Sequence, residues 1–343
     1  MSEPTRTPRI ALPLAIFVLL VGLLELTLSP AHHLQHIGPG QDAHIIALAR
    51  DAQGTLYAGD RRGTVFRQTG GTFWHPIPPP AGVSELSALV AHPALTVATS
   101  QGAWRFTEAG GWRRIEAELP TGYRPTALFA SHDRGLYMAM DAGIWHSDNG
   151  RDGWQPLPGN GLPEGARIHR LIALRNGLMA SLLGHGVYRL SDEGWEAETQ
   201  GLPADILVYE LLTLPDETVL AATDRGLYRM EQGALRWQPW PAGLEERRIS
   251  AVAMGMQGDG YRLWAASGAD LYRIDSQQGA ASQPHATAGQ MITALSLSGS
   301  ELTLAAGQVY RYQSWPSRRI WHLLLAAIVA LLVWRWLRKR SAA

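Results

Sequence analysis

Four histidines near the amino end are the first residues whose type and spacing could support chemistry. They are His32, His33, His36 and His44. Imidazole is a common metal ligand, so the cluster raises the question of a metal or haem site. His33 and His36 lie three residues apart, and in an extended segment such residues point to opposite faces. The spacing therefore predicts no shared metal, and we expect these histidines to face solvent or lipid headgroups.

Other residue patterns that support catalysis are missing from the sequence. The chain has no cysteine, which excludes disulfides, thiolate metal sites and cysteine nucleophiles. Glu85, Glu164 and Glu210 are not spaced as the paired carboxylates of a glycosidase. Neither a glycine-rich phosphate loop nor a Gly-x-Ser-x-Gly nucleophile turn is present. We therefore predict no catalytic residue, no cofactor and no enzymatic activity.

The composition of the 343 residues narrows the possible partners. Lys+Arg and Asp+Glu number 30 each, so the formal net charge is zero. Proteins that bind nucleic acid usually carry a basic excess that neutralises phosphates, so we expect no nucleic-acid partner. With 46% hydrophobic and 17% charged residues, the chain is also unlike a disordered protein.

Two apolar segments, residues 10–28 and 320–337, bracket the chain. A bilayer core of about 30 Å is crossed by about 20 helical residues, so each segment predicts a transmembrane helix. The second segment has tryptophans at both ends, as is typical of an interfacial belt. These residues are Trp315, Trp321, Trp334 and Trp336. The lipid bilayer is therefore an expected partner through two helices.

Flanking positive charges predict how the two helices are oriented. Two arginines precede the first segment. A cationic cluster at 335–340 lies at the end of the second segment and just after it. This outweighs Arg318 and Arg319 on the other side, so residues 1–9 and 338–343 should be cytoplasmic. The middle of the chain would then lie in the periplasm of a bacterial inner membrane. The alternative is a cleaved signal peptide, with a small-residue site at 29–31.

Ionisable residues near the outer ends of the two segments suggest a contact between the helices. Glu25 lies in the first segment, and Arg319 and His322 lie at the start of the second. A charged residue at membrane depth usually has a partner, so we expect Glu25 to pair with Arg319 or His322. The alternative is that Glu25 simply reaches the headgroups.

A small-apolar-aromatic signature recurs seven times between the two segments. Its aromatic residues are spaced by 38, 41, 43, 40, 44 and 38 residues, and they are Phe66, Trp104, Trp145, Tyr188, Tyr228, Tyr272 and Tyr310. Each repeat contains short β-type segments separated by turn residues. Four short strands in a repeat of roughly 40 residues are the pattern of a propeller blade. The sequence thus predicts an all-β, seven-bladed β-propeller over residues 33–315, flanked by two transmembrane helices.

The fourth segment of most repeats begins with tryptophan, and the last repeat has no such segment. The tryptophans are Trp74, Trp112, Trp154, Trp195 and Trp237, which we expect to be structural anchors between adjacent blades. Residues 34–39 resemble a fourth segment and precede the first repeat. We therefore predict that an N-terminal strand closes the ring by completing the last blade, which removes an exposed sheet edge.

The predicted topology places the two chain ends on one face and a set of loops on the other. On that outward face we expect binding residues in the turns between second and third strands and in the links between blades. They are Asp60, Arg61, Arg62, Asp141, His185, Asp224, Arg225, Arg247 and Arg248. Loops on a rigid scaffold often carry function. The alternative for each residue is ordinary turn chemistry, which also favours Asp and Gly.

Residues 143–154 resemble an Asp-box repeat, whose pattern is Ser-x-Asp-x-Gly-x-x-Trp. Ser147 and Trp154 match, whereas Asn149 stands in place of the Asp and Arg151 in place of the second Gly. The chain therefore resembles the Asp-box propeller group, which includes bacterial sialidases, sortilin-type receptor domains and photosystem II assembly factors. The resemblance implies that Ser147, Asn149 and Trp154 are structural. The early Arg-Ile-Pro element of sialidases is absent.

These observations favour a non-enzymatic docking scaffold or assembly factor for a membrane protein or membrane complex. One alternative is a propeller enzyme, a lyase or glycosidase acting on a periplasmic or lipid-linked substrate. It would require acidic and basic residues that converge at the outer mouth of the channel. Another alternative is a ligand-sensing domain, which the short tail after Leu337 makes less attractive. The sequence does not identify a small-molecule ligand.

Overall fold

The computed structural model describes residues 32–314 apart from 41, 116–118, 120–123, 132–134, 141–142, 259, 276–278, 282–283 and 285. Residues 34–312 form one compact unit, and a second unit comprises 1–33 with 313–343. The two predicted membrane segments lie outside the described residues, as do Glu25, Arg319, His322 and Asp141. Among the residues that are described, no helix has the length and apolar character needed to cross a bilayer.

The described chain consists of short β-strands. In chain order they are β1 (His32–His36), β2 (Ile45–Arg50), β3 (Leu56–Asp60), β4 (Val65–Gly70), β5 (Phe73–Ile77), β6 (Leu86–Val90), β7 (Thr96–Thr99), β8 (Gly102–Thr107), β9 (Gly111–Arg114), β10 (Pro125–Ser131), β11 (Gly135–Met140), β12 (Gly143–Ser147), β13 (Gln155–Pro156), β14 (Ile168–Leu174), β15 (Gly177–Leu182), β16 (Gly186–Ser191), β17 (Gly194–Ala197), β18 (Val208–Thr213), β19 (Val219–Thr223), β20 (Gly226–Met230), β21 (Gln238–Pro239), β22 (Ile249–Gln257), β23 (Gly260–Ser267), β24 (Asp270–Asp275), β25 (Ala280–Ala281), β26 (Ala286–Thr287), β27 (Ala294–Ser298), β28 (Glu301–Ala306) and β29 (Gln308–Ser314).

These strands form seven antiparallel sheets, which confirms the predicted seven-bladed propeller. Blades 1 to 5 take four consecutive strands each, from β2–β5 to β18–β21. Blade 6 contains β22–β25, and the short strand β26 also pairs with β24. Blade 7 contains β27, β28 and β29, and its fourth strand is β1. The N-terminal strand thus completes the last blade, and it begins two residues before the segment that the sequence indicated.

The second strand of each blade is buried between its neighbours, and its composition explains why. All five residues of Val219–Thr223 are buried, as are all six of Gly135–Met140. Small residues occupy the middle of these strands, where the faces of adjacent blades meet: Ala58, Ala98, Ala139, Ala180, Ala221, Ala265 and Ala305. A small side chain lets neighbouring sheets approach closely while larger side chains fill the remaining space. Each interface between blades is therefore part of the core.

Polar and apolar contacts both reinforce the seam at which the ring closes. The Ile37 N–H donates to the Val309 carbonyl at 2.9 Å, and the Ile37 side chain is only 1% exposed. At the other side of the seam, the Ile45 N–H donates to the Gly307 carbonyl at 2.7 Å. Because Ile37, Ile45 and Val309 share one buried cluster, the first and last described strands depend on the same core.

Arg50 connects blade 1 to blade 7 lower along the same seam. Its guanidinium donates to Ser296 Oγ at 3.1 Å and to Thr303 Oγ1 at 3.0 Å, both in blade 7. It also contacts Glu301 Oε1 at 3.2 Å. Charge-assisted hydrogen bonds of this kind are stronger than neutral ones. The Arg50 side chain therefore bonds to three residues of blade 7 across the seam at which the ring closes.

The tryptophans of the fourth segments connect neighbouring blades through their indole N–H groups. Trp112 donates to the Pro78 carbonyl at 2.6 Å, Trp195 to that of Pro158 at 2.8 Å and Trp237 to that of Glu198 at 2.7 Å. Trp74 makes the equivalent bond to the Ile37 carbonyl, next to the closing strand. Trp154 is buried as well. Each acceptor lies at the end of the preceding blade, so these side chains repeat one inter-blade contact around the ring.

Weakening the seam should destabilise the whole propeller. Ile37→Ala removes buried methylene groups from the cluster that joins the first and last blades, so we expect a loss of about 2–5 kcal/mol in unfolding free energy. The measurement is denaturant unfolding of the purified chain followed by tryptophan fluorescence. Leu235→Ala is the matched control, because Leu235 is 77% exposed and should change stability by less than about 0.5 kcal/mol. Equal effects of the two substitutions would contradict the role of the seam.

Candidate functional site

Backbone hydrogen bonds bring the turns between second and third strands together with the links between blades. The Leu86 N–H donates to the Arg61 carbonyl at 3.2 Å, and the Leu183 N–H donates to the Arg167 carbonyl at 2.9 Å. The Asp224 N–H donates to Leu207 O at 3.1 Å. We call this side of the ring the upper face. The lower face carries the turns that join first to second and third to fourth strands.

Two of the predicted binding residues accept backbone N–H groups of the upper face. Asp60 is buried, and its Oδ1 accepts the Thr64 N–H at 2.9 Å. Oδ1 of Asp224 accepts the Leu207 N–H at 3.0 Å from the link that enters blade 5. Carboxylates in tight turns commonly cap backbone N–H groups in this way. The geometry of these two residues therefore follows the turn-chemistry alternative.

The other predicted residues of the described chain are distributed around the upper face. Arg61 and Arg62 are exposed in blade 1, and His185 is exposed in blade 4. Arg225 is half-buried and donates to the Ala204 carbonyl at 3.1 Å. Arg61 and Arg62 are thus separated from the other predicted residues, which lie on blades 4 to 6: His185, Arg225, Arg247 and Arg248.

Arg247 and Arg248, in the link between blades 5 and 6, lie over aromatic rings. The guanidinium carbon of Arg248 is 4.7 Å from the ring centre of Tyr209, and that of Arg247 is 5.5 Å from the ring centre of Tyr272. Such cation–π contacts hold an arginine in place while its N–H groups stay available. Tyr272 belongs to the recurring signature, whereas Tyr209 is an aromatic partner that no sequence pattern indicated.

A repeated irregularity in the first strand places one residue of each blade near the mouth of the channel. The pairing of first and second strands shifts by one residue at the same point in blades 1 to 6. The residues at this bulge are Ile46, Ser87, Thr126, His169, Tyr209 and Ser250, and Thr293 is the equivalent in blade 7. Bulges redirect side chains and are common next to functional sites.

In three blades the bulge residue connects its blade to the next one. Ser87 Oγ donates to the Pro125 carbonyl at 3.3 Å, and Thr126 Oγ1 donates to the Ile168 carbonyl at 3.1 Å. Ser250 Oγ donates to the Ile292 carbonyl at 2.7 Å. These bonds form a belt of hydroxyl groups between the inner strands. A serine or threonine at this position therefore has a structural explanation.

Blades 4 and 5 depart from this belt at two successive positions. The bulge residues there are His169 and Tyr209, and the next residues are Arg170 and Glu210, where the other five blades have alanine. Arg170 Nε lies 3.3 Å from Glu210 Oε2, so an ion pair joins the two blades. We call His169, Arg170, Tyr209, Glu210 and Arg248 the mouth cluster. The departure from the repeat was visible in the sequence, but only alignment of the first strands would have revealed it.

His169 is held in its neutral form. Its side chain is half-buried, and burial together with the neighbouring Arg170 charge lowers the pKa of His169 to about 4. No hydrogen bond of its ring to another described residue is found, whereas its carbonyl accepts Arg170 Nη1 at 3.0 Å. A neutral imidazole offers one donor and one acceptor. The ring can therefore accept and donate hydrogen bonds to a bound molecule.

The mouth cluster is better suited to binding than to acid–base catalysis. A general base works best when its pKa lies near the working pH, and a histidine with a pKa of about 4 is a weak base at neutral pH. The nearest carboxylate, Glu210, is already paired with Arg170. Within the described residues, no group of three or more His, Asp or Glu side chains could hold a metal ion. An aromatic ring, a fixed guanidinium and a neutral imidazole together resemble a recognition surface.

Two open cavities lie away from the mouth cluster. One of about 520 Å³ is on the upper face at blades 2 and 3, beside Trp104, Arg114 and Arg124. The other, of about 340 Å³, is at the lower end of the channel between the first strands of blades 1 to 3. Neither combines several convergent polar groups with an enclosed volume, which is the usual form of a small-molecule site.

The turn that resembles an Asp-box is a self-contained structure between β12 and β13, on the lower face. Ser147 Oγ donates to the Asp152 carbonyl at 2.6 Å, and Asn149 Oδ1 accepts the Arg151 N–H at 2.6 Å and the Asp152 N–H at 3.1 Å. Ser147 and Asn149 therefore stabilise the turn itself, far in the fold from the mouth cluster.

The fold defines a class of protein, the seven-bladed β-propeller, and solved structures support that class. No protein-family model matches the chain, and neither does any curated protein. The extracellular domain of BT4673, described as a one-component system of B. thetaiotaomicron, is 16% identical over 81% of this chain, with a TM-score of 0.64. This chain covers only 39% of the length of that structure.

Two other solved structures match nearly along their full length. Virginiamycin B lyase from Staphylococcus aureus, as a catalytically inactive variant with quinupristin, is 12% identical with a TM-score of 0.65, over 82% of this chain and 99% of its own. YCF48 bound to D1 peptide is 14% identical with a TM-score of 0.61, over 81% of this chain and 94% of its own. At these identities the likeness extends to the fold alone.

The neutral state of His169 should make the stability of the propeller depend on pH. In the unfolded chain the histidine pKa is about 6.5, so the unfolded state binds a proton that the native ring binds only near pH 4. We expect stability to fall as the pH drops from about 6.5 to about 4, and His169→Gln to flatten that dependence. Thermal unfolding measured at a series of pH values checks this.

The matched control for this measurement is His185→Gln, which removes an exposed histidine of the same blade. If His169→Gln and His185→Gln change the pH dependence equally, His169 does not have the assigned role.

Proposed function

We propose that the chain is a membrane-anchored periplasmic scaffold that docks or assembles a membrane protein or membrane complex, without enzymatic activity of its own. The observation that carries this proposal is the mouth cluster, in which Arg248 lies 4.7 Å from the Tyr209 ring and the neutral His169 occupies the equivalent bulge of the neighbouring blade. Arginine and tyrosine are enriched among the residues that dominate protein interfaces. A closed ring holds them on a rigid frame.

The proposed anchoring rests on the apolar segments and on where the described chain begins and ends. Gly38 lies against Gln308 and His36 against Tyr310, so the chain runs antiparallel to β29, and Leu34 and Tyr312 lie at the same end of this strand pair. That end belongs to the lower face. We propose that residues 10–28 and 320–337 cross the inner membrane, with both termini cytoplasmic and Glu25 paired with Arg319 or His322.

The docking site is proposed on the upper face because it is the side opposite the chain ends. A partner segment that reaches the channel mouth would meet the Tyr209 ring, the Arg248 guanidinium and the His169 imidazole. A solved propeller of similar fold, YCF48, is bound to D1 peptide, so this fold can hold a peptide segment. An extended segment of a membrane protein is accordingly the proposed partner. We also propose that this chain is related to the Asp-box propeller group.

An enzymatic role is the second candidate, since a histidine lies at the channel mouth and a lyase shares the fold. The low pKa of His169 and the pairing of Glu210 with Arg170 both weigh against it. A substrate that is turned over by the native chain but not by His169→Gln would favour this candidate over the scaffold.

The proposed orientation can be tested with single cysteines, since the chain has none of its own. In intact cells with a permeabilised outer membrane, an impermeant maleimide should label Leu183→Cys, whose position is exposed on the upper face. It should label Ser341→Cys only after the inner membrane is disrupted. Gel-shift detection of the label measures both. Labelling of Ser341→Cys in intact cells would contradict cytoplasmic termini.

The proposed docking site can be tested by site-specific photocrosslinking in membranes. A photoreactive amino acid at Arg248 should yield a discrete adduct with a membrane protein, identified by mass spectrometry. The same group at Glu193, an exposed residue of a lower-face turn, is the matched control and should not yield that adduct. Recovery of a glycan or small molecule in place of a membrane protein would overturn the scaffold proposal.

Substitution of Tyr209 then measures how much the mouth cluster contributes to binding of the partner. Tyr209→Ala removes the ring beneath Arg248, so we expect binding of the captured partner to weaken by about 2 kcal/mol, or about thirtyfold. Arg62→Ala, on blade 1 of the same face, should leave binding within about threefold of the native value. Binding of purified partner in detergent is the measurement. Equal losses would place the site elsewhere on the face.

A further inference from the structure

The three most exposed large apolar side chains of the described propeller lie on the lower face. Phe73 is 75% exposed, Leu235 is 77% exposed and Met256 is 53% exposed. Leu235 lies in the turn between β20 and β21, Phe73 is the first residue of β5, and Met256 lies at the lower end of β22. Single exposed apolar residues are common and need no explanation. Their placement around the ring is what carries an inference here.

Two of these residues lie on the blades next to the one from which both described chain ends leave, and the third lies one blade further along the ring. Blade 7 supplies β29 and accepts β1, and the ring places blade 1 on one side of it and blade 6 on the other. Phe73 belongs to blade 1, Met256 to blade 6 and Leu235 to the adjoining blade 5. The apolar side chains therefore flank the exit of the chain on both sides.

The corresponding turns on the far side of the ring are polar. Between third and fourth strands, blade 2 has Glu108, blade 3 has Asp148 and Asp152, and blade 4 has Asp192 and Glu193. Glu231 of blade 5 and Asp275 of blade 6 are also acidic and lie at the same kind of turn. The two sides of the lower face therefore differ in their exposed apolar side chains, not in acidic charge.

Residues beside the three apolar side chains are of types that favour a membrane interface. Arg236 directly follows Leu235 and is exposed, so its guanidinium can reach a phosphate. Tyr261 lies opposite Met256 in the β22–β23 pair. Amphipathic aromatic rings and arginine are the typical residues of the headgroup region.

We propose that the lower face of blades 5, 6 and 1 rests on the bilayer, with Phe73, Leu235 and Met256 inserted at the boundary of headgroups and acyl chains. The occupant of this surface is the membrane itself. The inference rests on the proposed anchoring, since residues 10–28 and 320–337 would bring that side of the ring to the bilayer. Contact on one side of the ring only would tilt the propeller, lifting the acidic turns of blades 2 to 4 away from the lipid.

The test uses the full chain in nanodiscs of phosphatidylcholine and phosphatidylglycerol. Phe73→Cys, Leu235→Cys and Met256→Cys each provide one site for a polarity-sensitive fluorophore, because the native chain lacks cysteine. We expect the emission of all three labels to shift to the blue and to be quenched by lipids with a nitroxide near the headgroup. Nitroxides at the end of the acyl chain should quench them less.

Matched controls come from the opposite face. Leu183 and Met291 are also exposed apolar residues, at 42% and 48%, and both lie on the upper face. Labels at Leu183→Cys and Met291→Cys should show neither the shift nor the quenching. Equal quenching at all five positions, or none at the three lower positions, would overturn the inference.

Failure of the anchoring itself would give a different result. If the chain does not co-purify with the nanodisc, the proposed anchoring falls, and this inference falls with it. If the chain is in the disc and the three lower labels remain unquenched, only the contact of the lower face is wrong. Crosslinking of those positions to a protein in native membranes would then identify another occupant.

Discussion

The architecture depends on the pairing of β1 with β29. Seven blades arranged in a circle leave one junction that chain connectivity does not cover, and an unpaired edge there would be open to water and to other strands. The fold closes it with the Ile37 N–H on the Val309 carbonyl, a shared apolar cluster, and Arg50 of blade 1 contacting Ser296, Thr303 and Glu301 of blade 7. Because the closing strand comes from the amino end, both ends of the propeller leave from one blade and one face.

This closure also explains why the two faces differ. Turns that join second to third strands meet the links between blades, and together they build a continuous upper face. The lower face has separate hairpin turns, each belonging to one blade. On the upper side a link between blades can place its side chains over a first strand, as Arg248 lies over Tyr209. The lower side can instead differ from blade to blade, as its apolar and acidic turns do.

The mouth cluster shows how a repeat structure accommodates a local specialisation. Three blades use the bulge of the first strand for a hydroxyl that bonds the next blade, and five blades follow the bulge with alanine. Blades 4 and 5 give up those bonds, and the Arg170–Glu210 ion pair takes over the connection between them. The His169 imidazole and the Tyr209 phenol ring are therefore not needed to bond one blade to the next. The bulges of blades 4 and 5 thus depart from the repeat, and the bond between these blades is made by the ion pair instead. Such positions are candidates for binding.

The sequence by itself determined the number of blades, the missing fourth strand and the tryptophan contacts, because these depend on residue types that recur with each local unit. It also indicated the turn of Ser147 and Asn149, whose bonds are all made within a few residues. Only the tertiary structure decided which side chains meet. Asp60 caps its own turn and Asp224 the link that enters blade 5, whereas Tyr209 and Arg248 come from different elements and lie against each other. Phe73, Leu235 and Met256 are far apart along the chain, and they flank one blade only because the ring closes.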